Sequence, residues 1–276
     1  MNRKLIFLDI DGTLTEPGSN VPPVSAVRAI RKAREKGNPV FLCTGRNFGM
    51  LRPVLEYGFD GVVASSGGYI RCGDNVIYDC PLTEEIKHKI FATLKGKGIY
   101  RTVECLDGAY TDEALKDFLM KNAHEGSNSE MLRWRRHIEE SLHIRPMAEY
   151  QNQPVYKVIA MCKDQKILEQ AKICLGDELN FCIQEPDRFG YVTAEIISRE
   201  FDKGTGIRKV CDHLGISPAH TIAFGDSIND VEMMEAVALG ICMENGSARL
   251  KELADEICPA VEKDGLYLAF EKHHLI

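Results

Sequence analysis

Several features that would place a chain quickly are missing from these 276 residues. No apolar run approaches the roughly 20 residues that a membrane-spanning helix needs. The N-terminus has no secretory h-region: after Arg3 and Lys4, the run Leu5-Ile6-Phe7-Leu8 stops at Asp9. There is no internal repeat and no low-complexity tract. There is also no excess of positive charge. With 41 acidic against 34 basic residues the formal charge is −7, which disfavours nucleic acid and anionic membranes as partners, because both are held mainly by Lys and Arg. Ten cysteines are present, yet none forms a Cys-x-x-Cys pair and none stands at zinc spacing with His. Cys43, Cys162 and Cys242 lie inside apolar runs, where a thiol behaves as a small buried hydrophobe. The set fits a reducing cytoplasm better than a disulfide scaffold.

What is present is an alternation. Short apolar runs at 4–10, 39–43 and 61–64 read as buried strands, and a helix is expected at 24–36, with Val24, Val27, Ile30 and Ala33 on its apolar face and Gly37 ending it. The texture returns near the C-terminus, with strands at 221–224, 239–243 and 257–260. A helix at 203–214 carries Ile207, Val210, Cys211 and Leu214 on one face. Strands apolar on both faces, alternating with helices, imply an α/β fold: a Rossmann-like, doubly wound parallel sheet. Between these halves the pattern changes to amphipathic helices at 83–95, 112–122 and 164–175 and alternating strands such as 156–162. Two domains are expected: a discontinuous core at 1–82 and 188–276, and a smaller inserted α/β cap at 83–187. Pro81 and Glu185-Pro186-Asp187 are the expected hinges.

Polar residues gather at the carboxyl ends of the expected parallel strands, where open α/β sheets bind ligands. They are Asp9-Ile10-Asp11-Gly12-Thr13, Thr44-Gly45-Arg46, Ser65-Ser66-Gly67-Gly68 and Gly225-Asp226-Ser227-Ile228-Asn229-Asp230. Asp9 and Asp11 are two apart and point the same way on an extended chain. Gly12 permits a sharp turn and a close approach to ligand. Asp226, Asn229 and Asp230 share one face if a helix starts there. So many carboxylates in one crevice repel unless a cation intervenes. With oxygen donors and no nearby His or Cys, that cation should be hard, and Mg²⁺ suits it. Lys203 and the Thr44 hydroxyl can orient phosphate oxygens.

In order, the segments DIDGTLT (9–15), TGR (44–46), FDKGTGI (201–207) and GDSIND (225–230) resemble the four motifs of the haloacid dehalogenase-like superfamily. The insert resembles, in place and size, the α/β cap of its Cof-type phosphatases. The tail elements Met243-Glu244-Asn245-Gly246-Ser247 and Asp264-Gly265-Leu266 are similar to that group's ending. Two positions depart from the pattern: Ser66-Gly67 where Asn-Gly is frequent, and Glu244 in place of a glycine.

The resemblance implies a phosphatase acting on a small phosphorylated metabolite. In it, Asp9 attacks phosphorus, and Asp11 binds metal through its carbonyl while its side chain carries the proton. Asp226 is the other metal ligand. Asp230 steadies Lys203, and Asn229, Gly12, Thr44 and Gly45 meet the phosphate. A phosphomutase or phosphotransferase using the same nucleophile is the alternative. A non-catalytic phosphate sensor fits less well, since Asp9, Asp11, Lys203, Asp226 and Asp230 are all present, and a dehalogenase is more distant still. Arg46 has two readings, a helix cap or a partner for an acid. Arg133-Trp134-Arg135-Arg136-His137 reads as a solvated helix face rather than an anion site. His273-His274 is expected in a mobile tail, and Glu185 and Arg188 lie near the return hinge. Oligomeric state is not legible.

Overall fold

The run Leu5-Ile6-Phe7-Leu8 forms strand β1 (Leu5–Leu8), with all four side chains buried. Each fully buried Leu, Ile or Phe contributes about 1.5–3 kcal/mol, so such a run belongs mid-sheet. The computed structural model describes residues 3–96, 98–114, 144–184, 186 and 190–276. It divides into two compact units: Met1–Arg46, Leu51–Asp79 and Phe201–Ile276 in one, Asn47–Met50 and Cys80–Glu200 in the other.

In the first unit β1 lies between β2 (Val40–Cys43) and β12 (Thr221–Gly225), parallel to both. Beyond β2 come β3 (Gly61–Ala64), parallel, then the antiparallel strands β4 (Tyr69–Cys72) and β5 (Asn75–Asp79). Beyond β12 come β13 (Leu239–Met243) and β14 (Glu256–Cys258), both parallel. The sheet therefore runs β14-β13-β12-β1-β2-β3-β4-β5, a parallel α/β core with an antiparallel edge.

Helix α1 (Val24–Glu35) buries Ala26, Ala29, Ile30 and Ala33, so Ile30 and Ala33 of the expected face are buried while Val24 and Val27 are not. Val24 is 86% exposed, since a first-turn valine lies off the i, i+3, i+4, i+7 stripe that small alanines set against the sheet. The helix Lys203–Leu214 starts at a capping box between Asp202 and Thr205 and ends at Gly215 in the left-handed conformation. It buries Ile207, Val210 and Cys211.

In the second unit a six-stranded sheet runs β10-β11-β9-β6-β7-β8. Its strands are β6 (Tyr100–Cys105), β7 (Gly108–Thr111), β8 (Ile144–Pro146), β9 (Val155–Cys162), β10 (Leu179–Ile183) and β11 (Val192–Ser198). All pairings are antiparallel except β7 with β8. Helices Glu84–Leu94 and Gln165–Leu175, capped by Thr83 and Asp164, supply Ile90, Leu94, Leu168, Ala171 and Leu175 to one apolar cluster with the sheet. Strand β11, inside the stretch 188–276 assigned to the core by sequence, is hydrogen-bonded between β9 and β10 in this second sheet. Residues 115–143, 185 and 187–189 lie outside the described residues, and with them most of the helix expected at 112–122, the stretch Arg133 to His137, Glu185 and Arg188.

The C-terminus is packed rather than loose. His273 Nε2 lies 3.2 Å from Glu256 Oε2, and the carbonyl of the buried Leu275 accepts from Asn38 Nδ2 at 3.1 Å. The apolar side chain of Leu275, directly after the histidine pair, holds it down.

Candidate active site

Where β1 ends, the Asp9 amide donates to the Phe224 carbonyl at 3.0 Å, carrying the pairing with β12 one residue further. The chain then turns tightly. The amides of Leu14 and Thr15 both reach the Ile10 carbonyl at 2.9 Å, and Gly12 takes φ +84°. A Cβ on Gly12 would stand 2.3 Å from Asp226 Oδ2. Glycine is therefore what lets the first loop and the loop after β12 touch. The Thr13 hydroxyl donates to Asp226 Oδ1 at 3.3 Å.

Lys203 opens its helix with its side chain 1% exposed. Its Nζ donates to Asp9 Oδ1 at 2.7 Å, Asp230 Oδ1 at 2.5 Å and Asn229 Oδ1 at 3.4 Å, which uses all three ammonium hydrogens. Asp230 Oδ2 accepts from the amides of Asp226 and Ser227 at 3.0 and 3.1 Å. Asp230 is thus committed on both oxygens to holding Lys203 and shaping the Asp226 loop. Carboxylate oxygens of Asp9, Asp226 and Asp230 lie within 4.8 Å of one another and could hold a metal ion.

Electrostatics point the same way. Burial, only partly offset by Lys203, pushes the Asp9 carboxyl up to about 7. Burial and then the charges of Asp9 and Asp230 hold Asp226 well above the usual carboxylate range. Burial works against the Lys203 ammonium, but Asp230 and Asp9 outweigh it and keep that group well above its ordinary value. One buried ammonium does not balance the acidic group. The unmet charge and the all-oxygen donor set fit a hard divalent cation.

Thr44 follows β2, and its hydroxyl accepts from the Arg46 amide at 3.1 Å; Gly45 lies between them. Ser65 and Ser66 follow β3 with φ +50° and +56°. Their amides donate to the carbonyls of Arg46 and Thr44 at 2.8 and 3.0 Å, so the third loop braces the second. Of the two readings of Arg46, the structure has the acid. Arg46 grips Asp11 through Nε to Oδ2 at 2.8 Å and Nη2 to Oδ1 at 2.7 Å. The Asp11 carboxylate thereby stands apart from the group formed by Asp9, Asp226 and Asp230.

Asn245 was not singled out by spacing, yet its Nδ2 donates to the Gly12 carbonyl at 2.8 Å, and the Ser247 amide donates to the Asp226 carbonyl at 2.7 Å. The only sequence signal for this brace is the similarity of 243–247 to the family's ending.

The pattern of the haloacid dehalogenase-like hydrolases matches residues 6–270. The Bacillus subtilis (strain 168) protein named "Putative phosphatase YkrA" is 25% identical over 279 aligned residues covering 100% of both chains. The "HMP-PP phosphatase" of Yersinia pestis (strain Pestoides F) is 24% identical over 255 residues, 90% of this chain and 86% of that one. Among solved structures, BT1666 from Bacteroides thetaiotaomicron, described among phosphatases of the HAD enzyme superfamily, superposes with a TM-score of 0.80. That match covers 100% of this chain and 96% of the other at 20% identity, a likeness of fold. The chain belongs to the haloacid dehalogenase-like hydrolase family.

Proposed function

We propose that the protein hydrolyses a small phosphomonoester, a sugar phosphate or a phosphorylated cofactor, in a Mg²⁺-dependent reaction through a phosphoaspartate on Asp9. The observation that carries this reading is the meeting of Asp9, Lys203 and Asp226 from three distant parts of the chain. The phosphatase names of the relatives support the reaction class. The ten free cysteines support a reducing, cytoplasmic setting.

Asp9 and Asp226 would hold Mg²⁺, joined by the Asp11 carbonyl, and the ion would keep both carboxylates charged and draw electron density from the phosphoryl oxygens. Asp9 is the nucleophile. One of its oxygens forms the bond to phosphorus as the ester oxygen departs, and Asp11 gives that oxygen its proton. Water then attacks the phosphoaspartate, Asp11 takes back a proton, and inorganic phosphate leaves with Asp9 regenerated. Lys203 keeps one Asp9 oxygen in place and neutralises charge on the transferring group. Thr44, Gly45, Gly12 and Asn229 surround the phosphoryl oxygens, and Asp230 orients Lys203.

A screen of phosphorylated metabolites with Mg²⁺, using Asp9→Asn protein as the blank, tests the reading. Phosphate released in water with no added acceptor supports a phosphatase. Transfer seen only with a second hydroxyl compound points to a phosphotransferase. No metal-dependent turnover of any ester overturns the proposal.

A further inference from the structure

Asp11 is asked to do what a carboxylate beside a cation site resists. It must stay off the metal and off Lys203, keeping its oxygens for proton transfer. Sequence spacing aims its side chain the same way as Asp9. In the structure three donors hold it elsewhere: Arg46 Nε at 2.8 Å, Arg46 Nη2 at 2.7 Å and the Gly18 amide at 2.8 Å.

The grip is itself fixed. Arg46 Nη1 donates to Asn20 Oδ1 at 2.6 Å and Nη2 also to the Ser19 carbonyl at 3.0 Å. Its amide is held by the Thr44 hydroxyl, and its carbonyl accepts from Ser65. The Arg46 side chain is 0% exposed, while that of Asp11 is 17% exposed. The planar fork of the guanidinium sets direction as well as charge. Burying such a pair brings little net stability compared with apolar residues of the same size. Its value lies in orientation.

We propose that Arg46 is the positioning residue for Asp11: its two-point grip keeps the Asp11 carboxylate out of the cation site and available for proton transfer. The inference rests on the phosphatase reading above. A lysine at 46 supplies charge without the fork, so it restores only part of the effect.

The test compares kcat/KM, which covers steps up to departure of the alcohol, for glycerol 2-phosphate and p-nitrophenyl phosphate. The second leaving group needs little protonation. Arg46→Met should lose about 10²-fold on the alkyl ester and less than about 5-fold on the aryl ester. Arg46→Lys should fall between wild type and Arg46→Met on the alkyl ester. Arg46→Met combined with Asp11→Asn should match Asp11→Asn alone within about 2-fold, because both remove one function. Calorimetric titration should show that Arg46→Met binds Mg²⁺ no more weakly than wild type.

Equal losses on both esters, additive losses in the double variant, or weakened Mg²⁺ binding would each show that Arg46 only holds the loop together. If wild type shows no Mg²⁺-dependent phosphate release from any ester of the metabolite screen beyond that of Asp9→Asn, the phosphatase reading falls, and this proposal with it.

Discussion

Lys203 Nζ sits 2.7 Å from Asp9 Oδ1 across 194 residues of sequence. The contact exists because β1 and β12 are neighbours and the Lys203 helix begins beside their ends. Asp230, on the loop after β12, draws the same ammonium from the other side. Among the described residues no ammonium is hydrogen-bonded to Asp226, and this makes it the carboxylate most dependent on a cation.

Asp226→Ala should therefore raise the Mg²⁺ concentration for half-maximal activity by about 10-fold or more. Gly12→Ala should do much the same without removing any ligand. Its new Cβ would fall 2.3 Å from Asp226 Oδ2, and its φ of +84° disfavours any side chain by about 1–2 kcal/mol. A metal titration of turnover checks both, and an unchanged midpoint for Asp226→Ala would remove that residue from the direct ligands.

The metal-free protein should lose stability as pH rises from about 4 to about 7. Burial raises Asp9 from 3.8 to about 7, so across that window the folded chain keeps a proton that the unfolded chain has released. This contribution is complete below the unfolded value and gone above the folded one. Bound metal needs the ionised form, so Mg²⁺ affinity should weaken as pH drops below 7, approaching about tenfold per unit. Melting curves in chelator and calorimetric Mg²⁺ titrations between pH 5 and 8 read the two trends. Flat profiles would contradict them.

In the second unit Lys157 is fully buried on β9, with Nζ 3.3 Å from Glu104 Oε1 and 3.7 Å from Glu195 Oε1. Lys157→Met leaves buried carboxylates short of their cation and should cost about 3–5 kcal/mol. Adding Glu104→Gln and Glu195→Gln should recover part of that loss. Thermal unfolding checks it, and a melting temperature unchanged in Lys157→Met would mean the cluster carries no structural weight.

Much of the first unit was legible because its strands are buried on both faces. The runs inside β1, β2, β3 and β12 admit few readings, and polar residues at their ends stand out against them. The limits are equally physical. The periodicity of α1 selected Val24, which is exposed, along with Ile30 and Ala33, which are buried, because alanines at 26 and 29 complete the inner stripe instead of the two valines. An apolar run does not say which sheet it joins, and β11 joins the second although its stretch was assigned to the core. Arg46 was left between two readings because its partner depends on how the loop of Ser19 and Asn20 folds back, which neither period nor spacing encodes. Asn245 reaches Gly12 across 233 residues, and only resemblance hinted at it. His273-His274 looked like a tail because so short a terminal stretch gives no period to read.

The proposed reaction requires the phosphoryl group to pass through Asp9. Wild-type protein mixed briefly with Mg²⁺ and a substrate found by the metabolite screen, then quenched in acid, can be digested and mapped by mass spectrometry. One phosphoryl group on the carboxylate of Asp9, absent from Asp9→Asn protein that retains its fold, is the expected result. Turnover at wild-type rate by Asp9→Asn, or a phosphoryl group carried on another residue, would contradict it.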